Sequence, residues 1–186
     1  SHTKEIVRTF WALSKELADA RHYPSVSWNE SFSGYISIAA DWWAENIDPS
    51  WERKRGEALV LLAHADELSR IVNLVGPEAL SSSQRWVLEG AALVREAVLQ
   101  QSALDEVDSY ASPQKQYILL DLVLDIYHQG KQLLELGVPV QHIAQLPVMA
   151  RMLRLKSTYS SDQLDELNGF RDQIQKAFDE IRIEYG

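Results

Sequence analysis

The chain has 186 residues, 46% of them hydrophobic and 24% charged, enough apolar material to bury one core of ordinary size. A net charge of -9 excludes an extended nucleic-acid surface, because phosphate binding needs clustered lysine and arginine. With no cysteine there is neither a disulfide framework nor a thiolate site, and an intracellular setting is expected.

The sequence opens Ser1-His2-Thr3 and runs straight into an apolar stretch without the pattern of a signal peptide, as a piece of a longer protein would. Glu5 to Leu13 is rich in β-branched and aromatic side chains and predicts one strand, with a short helix from Ser14 to about Arg21 after it. A lone strand is not stable, so its sheet partners are expected upstream of Ser1. Tyr23 to Phe32, punctuated by proline, serine and asparagine, reads as irregular chain.

Everything after Ser33 reads as helix. The first runs from Gly34 to Asn46, and Asp48 is expected to cap the second, with Pro49 at its first position. Ala58, Leu61, Leu62, Ala65, Leu68, Val72 and Val75 follow the three-four spacing of one buried face, which Gly76-Pro77 terminates. Ser81 and Gln84 have the spacing of a capping box for a third helix to about Gln100, and Gln100 to Ala111 is a loop. Ser112-Pro113 opens a fourth helix to about Leu136. Its apolar residues from Ile118 to Ile126 cover most of the circumference, so it should be central, and Gly137 should end it. A short helix at Val140 to Gln145 and another after Pro147 precede the last. That one is expected to be capped by Ser160 and Gln163 and to bury Leu164, Leu167, Phe170, Ile174, Phe178 and Ile181. The predicted fold is mainly α: a helical bundle over residues 33–186, with residues 1–32 a strand-bearing extension left from another domain.

Chemistry is scarce. A phosphate-cradling loop needs a glycine-rich turn followed by lysine and a hydroxyl, and Gly130-Lys131-Gln132 lacks both the upstream glycine and the hydroxyl. The histidines, His2, His22, His64, His128 and His142, form no i, i+4 pair for zinc, and no metal site or catalytic residue is assigned. Asp121 and Asp125 stand one helical turn apart near His128, but acidic residues on an apolar helix ordinarily mark its solvated or paired side. They also break the most apolar stretch, Tyr117 to Tyr127, which is too short to span a bilayer. Asp105-Glu106-Val107-Asp108 lacks the spaced oxygens and glycine of a calcium loop and reads as a capping or interface segment. Trp42, Trp43 and Trp51 are assigned to helix packing. Read this far, a non-catalytic helical adaptor remains an alternative.

Five strings in order resemble the catalytic A subunit of archaeal and vacuolar-type rotary ATP synthases: IVRTFWAL at Ile6, RHYPSVSW at Arg21, DWWAENIDPSW at Asp41, LSRIVNLVGPEAL at Leu68 and LQQSALDEVDSY at Leu99. The resemblance spans the chain and implies the C-terminal part of that subunit, with the phosphate loop and the ligands of ATP, ADP and magnesium lying upstream. It implies that Tyr23 and Pro24 face adenine, with Tyr23 stacking on the ring, and that Ala103 and Leu104 form the opposite wall. Leu104 stands where the family has an aromatic residue and makes that wall apolar. It also implies that the turn Pro77, Glu78, Ala79, Leu80, Ser81, Ser82 and Ser83 presses on the rotor of the central stalk. The implied partners are B subunits, interleaved with the catalytic ones in a hexameric ring, and the implied place is the cytoplasmic side of a membrane, peripheral and without insertion. The chain alone is expected to hydrolyse nothing.

Overall fold

Glycine, proline and small polar residues divide the chain into rods, each with an apolar stripe that only a neighbouring rod can cover. The computed structural model describes residues 36–99 and 111–186, and no strand occurs among the described residues. The expected strand over Glu5 to Leu13, the helix from Ser14, the irregular segment from Tyr23 and the acidic segment Asp105 to Asp108 lie outside them.

In chain order come α1 (Ile36–Asn46), α2 (Trp51–Val75), a 3₁₀ turn (Pro77–Ala79), α3 (Ser82–Leu93), a π-helical segment (Val94–Leu99), α4 (Pro113–Glu135), α5 (Val140–Ala144), α6 (Pro147–Thr158) and α7 (Leu164–Tyr185). α4 is the central rod, as its composition predicts. Leu119, Leu120, Leu122, Val123, Leu124, Ile126 and Leu133 are all buried, and α2, α3, α6 and α7 pack around it. Each such side chain contributes about 1.5–3 kcal/mol by leaving water. Ser112 caps α4 by accepting the Lys115 N–H at 3.2 Å. At the other end Gly137, at φ +87°, closes a Schellman motif, with Val138 N–H on Leu133 O at 3.1 Å and Gly137 N–H on Leu134 O at 3.0 Å.

Polar contacts fix the relative sense of the rods. Lys54 meets Asp121, Glu57 meets His128, Arg171 meets Asp121, and Arg182 meets Gln129 and Gln132. α2, α4 and α7 therefore run the same way, while α3 returns from the turn against them. Measured from the Lys54–Asp121–Arg171 level, α2 continues about two turns further than α4 or α7.

Four local expectations are corrected. α2 starts at Trp51 rather than Pro49, because the Asp48 carboxylate accepts the Ser50 N–H at 2.8 Å and so closes a turn on itself before the helix begins. Val75 is 64% exposed, since the last turn of α2 has run past the rods that cover the stripe from Ala58 to Leu68. The third helix leaves α geometry at Val94 and continues π-helical to Leu99. The box at Ser160 forms by half. Gln163 Oε1 accepts the Ser160 N–H at 3.1 Å, but the Ser160 hydroxyl turns to Asp162 and Gln163 instead of accepting the Gln163 N–H.

Candidate functional site

The turn that joins α2 to α3 is fixed at both ends by residues suited to it. Gly76 sits at φ +93°, where a side chain would be strained and an added Cβ would meet Glu78 Oε2 at 2.9 Å; its N–H closes on Val72 O at 2.9 Å. Pro77 then starts a 3₁₀ turn, completed by the Leu80 N–H on Pro77 O at 3.2 Å. On the far side the predicted capping box is present in full. The Ser81 N–H donates to Gln84 Oε1 at 2.9 Å, and the Gln84 N–H donates to Ser81 Oγ at 3.2 Å.

Within that frame Pro77, Glu78, Ala79, Ser81, Ser82 and Ser83 are exposed, whereas Leu80 turns inward, is 4% exposed and anchors the turn in the core. Glu78 is the one carboxylate of the turn. Beside it the end of α2 shows solvent an apolar edge that the helical pattern alone does not announce: Ile71, Leu74 and Val75, with Leu74 83% exposed. The available signal is the place of Ile71 and Leu74 off the buried stripe, at the i, i+3 spacing of a second face.

At the opposite end of α2 a polar network ties three rods together. Lys54 Nζ lies 2.5 Å from Asp121 Oδ1 and donates to the Tyr117 hydroxyl at 2.7 Å, and that hydroxyl lies 3.0 Å from Ser50 Oγ. Arg171 Nη2 reaches Asp121 Oδ2 at 2.5 Å, and its Nη1 is 3.8 Å from Asp125 Oδ2. Asp121 and Asp125 thus lie on a paired side of α4, as their setting in an apolar helix predicts. Burial opposes the charge of Lys54, but hydrogen bonds to Asp121 and Tyr117 outweigh it and hold the ammonium above its usual range. Hydrogen bonds from the Ser50 hydroxyl and N–H hold the Asp48 carboxyl below the usual carboxylate range.

The aromatic residues around this end are packing elements, with one exception. Trp43 stacks on Trp51 at 4.1 Å and 13°, joining α1 to the start of α2. Trp42 faces outward, 48% exposed. Among the described residues no three His, Asp or Glu side chains gather as a metal-ligand set, and none of the helices is long and apolar enough to cross a membrane. Tyr23, Pro24, Ala103 and Leu104 lie outside the described residues.

Residues 40–142 match the family model described as the C-terminal domain of V and A type ATP synthase. The chain is similar to the V-type ATP synthase alpha chain of Nitrosococcus oceani, with 63% identity over 185 residues, covering 100% of this chain and 31% of that protein. It is also similar to the A subunit of the A-type ATP synthase of Ignicoccus hospitalis, 42% identical over 90% of this chain and 28% of the relative. The corresponding protein of Sulfolobus acidocaldarius is 38% identical, over 97% of this chain and 31% of the relative. The chain spans a little under a third of the length of these relatives.

Proposed function

The chain belongs to the family of C-terminal domains of V and A type ATP synthases, and on that premise we propose that it is the lever of a catalytic A subunit. It carries motion from a nucleotide-binding domain to a central rotor stalk. In this reading ATP or ADP, with magnesium, is held mainly by the preceding part of the same polypeptide. Tyr23 and Pro24 line one side of the adenine, and Ala103 and Leu104 the other. B subunits stand between its copies in a ring held peripherally at the cytoplasmic side of a membrane. The chain alone turns over no ATP. Membership of the family leaves no basis for a free-standing adaptor.

The observation that carries the proposal is the turn at Gly76–Ser83. A surface connector has no need of a left-handed glycine, a buried leucine anchor and a complete capping box within a few residues. A part that must push without yielding does, because the force it transmits is limited by how far it deforms. The exposed Leu74 and Val75 beside it supply apolar surface for a partner to press on. With one carboxylate in the turn, contact through shape outweighs charge attraction.

In the assembled complex a cysteine in place of Glu78 (Glu78→Cys) is expected to crosslink to the central stalk in at least one rotary position. If every trapped position gives no crosslink, the turn is not the rotor contact.

A further inference from the structure

We propose that the corner at residues 47–50, with Trp43 seated on Trp51, is a rigid elbow that makes α1 and the bundle turn as one body, and that Trp43 is the positioning residue through which motion of the preceding domain reaches the turn between α2 and α3. The inference rests on the lever reading above and assigns the place where force enters the lever.

α1 needs such a device. It has 11 residues, too few to be stable alone in water, and among the described residues it packs mainly on α2. A short rod supported along one side can roll or pivot on its neighbour unless the connection itself fixes the angle.

The connection is bonded throughout. Trp43 O accepts the N–H of Ile47 at 2.9 Å and of Asp48 at 3.1 Å, and Asp48 O accepts the N–H of Trp51 at 3.1 Å, so one residue closes α1 and opens α2. Pro49 has a fixed φ, and no glycine occurs from Ile36 to Arg55 to absorb a change of backbone angle. The side chains add a relay with one direction. Lys54 can only donate, which it does to the Tyr117 hydroxyl at 2.7 Å; the Ser50 hydroxyl donates to Asp48 Oδ1 at 2.5 Å, so the Tyr117 hydrogen turns to Ser50 Oγ at 3.0 Å. Each link runs from the ammonium towards the carboxylate, an order in which hydrogen bonds strengthen one another. Since Lys54 also meets Asp121, and Asp121 meets Arg171, the corner is tied to α4 and α7.

Trp43 supplies a second point of attachment. Its ring, 8% exposed, stacks on Trp51 at 4.1 Å and 13°, and Trp51, 4% exposed, rests against the Tyr117 ring at 6.3 Å. The stack lies about one helical turn before the corner. One point of attachment leaves a pivot, and two a turn apart do not. Truncating Trp43 thus frees the angle of α1 while Trp51 and the polar relay keep α2 in place.

The test uses the full-length subunit in the membrane-bound complex. Trp43→Ala should leave ATP hydrolysis within twofold and reduce ion transport per ATP hydrolysed at least threefold, and Trp43→Phe, which keeps a stacking ring, should restore the ratio. An unchanged ratio, or equal loss of both activities, overturns the proposal, because a residue that only holds the fold changes the number of working complexes and not their coupling. Where the variant fails to assemble, a measurement on the otherwise unmodified complex decides. Spin labels at Glu45 of α1 and Asp165 of α7, both exposed, should stay at one distance with and without ATP; a change above about 5 Å, one turn of helix, means that α1 pivots on the bundle and overturns the proposal. The Glu78→Cys crosslink separates the elbow from the reading it rests on. If the crosslink forms and Trp43→Ala couples as the wild type does, the elbow is wrong and the lever stands. If no crosslink forms, the lever falls, and the role of Trp43 in it falls too.

Discussion

A Cβ added at Gly130 would lie 2.0 Å from Cζ2 of Trp86, a fully buried ring that has no room to withdraw. Gly130→Ala should therefore cost about 1–3 kcal/mol through overpacking. The same substitution at Gly56, in the second turn of α2 with nothing within 4 Å of the added carbon, should stabilise by about 0.5–1 kcal/mol through backbone entropy alone. Urea denaturation of the two variants should move the midpoint in opposite directions. A shift of the same sign would mean that the notch at Gly130 does not hold the indole. The sequence presents Gly130 only as a failed phosphate loop, because the ring that needs the space lies on another helix. Asp48 is visible there as a cap but not as the owner of its own turn. Its carboxyl is held low in the folded chain, so its contribution is complete above the unfolded value and is lost as pH falls through the folded one. Asp48→Asn keeps an oxygen for Ser50 but cannot ionise. It should flatten the fall in stability that denaturation of the wild type shows as pH drops through and below the usual carboxylate range. An unaltered slope would show that Asp48 titrates alike in the folded and unfolded chains.

Among the elements, those with strong periodicity can be read directly, and those held by distant partners cannot. α4 and α7 are recognisable with nearly all their buried residues because a stripe, or an apolar circumference, is written in one stretch of chain; Leu164, expected in the stripe of α7, stands in its first turn and is only partly buried. The two capping boxes have the same spacing, yet one closes in full and the other only by half, since Asp162 competes for the Ser160 hydroxyl. The π-helical segment carries no local mark, because its buried spacing is also that of an α-helix. Asp121 reads as paired, but sequence separation cannot name Lys54 and Arg171 as its partners. The Lys54 and Asp121 side chains are only 14% and 22% exposed, which puts their contact between a surface pair and a buried one. Asp121→Asn leaves two cations facing one weak acceptor and should cost about 1.5–3 kcal/mol. A double-mutant cycle with Lys54→Met measures the shared part. A coupling below about 0.5 kcal/mol would reduce the contact to an ordinary surface ion pair that ties no rods together.

For the molecule as a whole, the sense of the rods separates two ends with different demands. The end where α2 begins joins α1, α2, α4 and α7 through stacked rings and ion pairs, and it resists relative movement of the rods. The other end carries the capped turn and the apolar edge of α2, beyond the reach of α4 and α7. That division is not legible in the sequence: the three-four spacing extends the buried face to Val75, and only the finite length of the neighbouring rods exposes it. The division also separates stability from partner binding in one experiment. Leu74→Asp changes a side chain that is 83% exposed, so unfolding of the isolated chain should shift by no more than about 0.5 kcal/mol. In the proposed complex the same change places a charge against the stalk and should weaken its association at least tenfold, about 1.4 kcal/mol. Loss of stability in the isolated chain would mean that Leu74 is part of the core. Unchanged association, with stability intact, would mean that the stalk does not touch the end of α2.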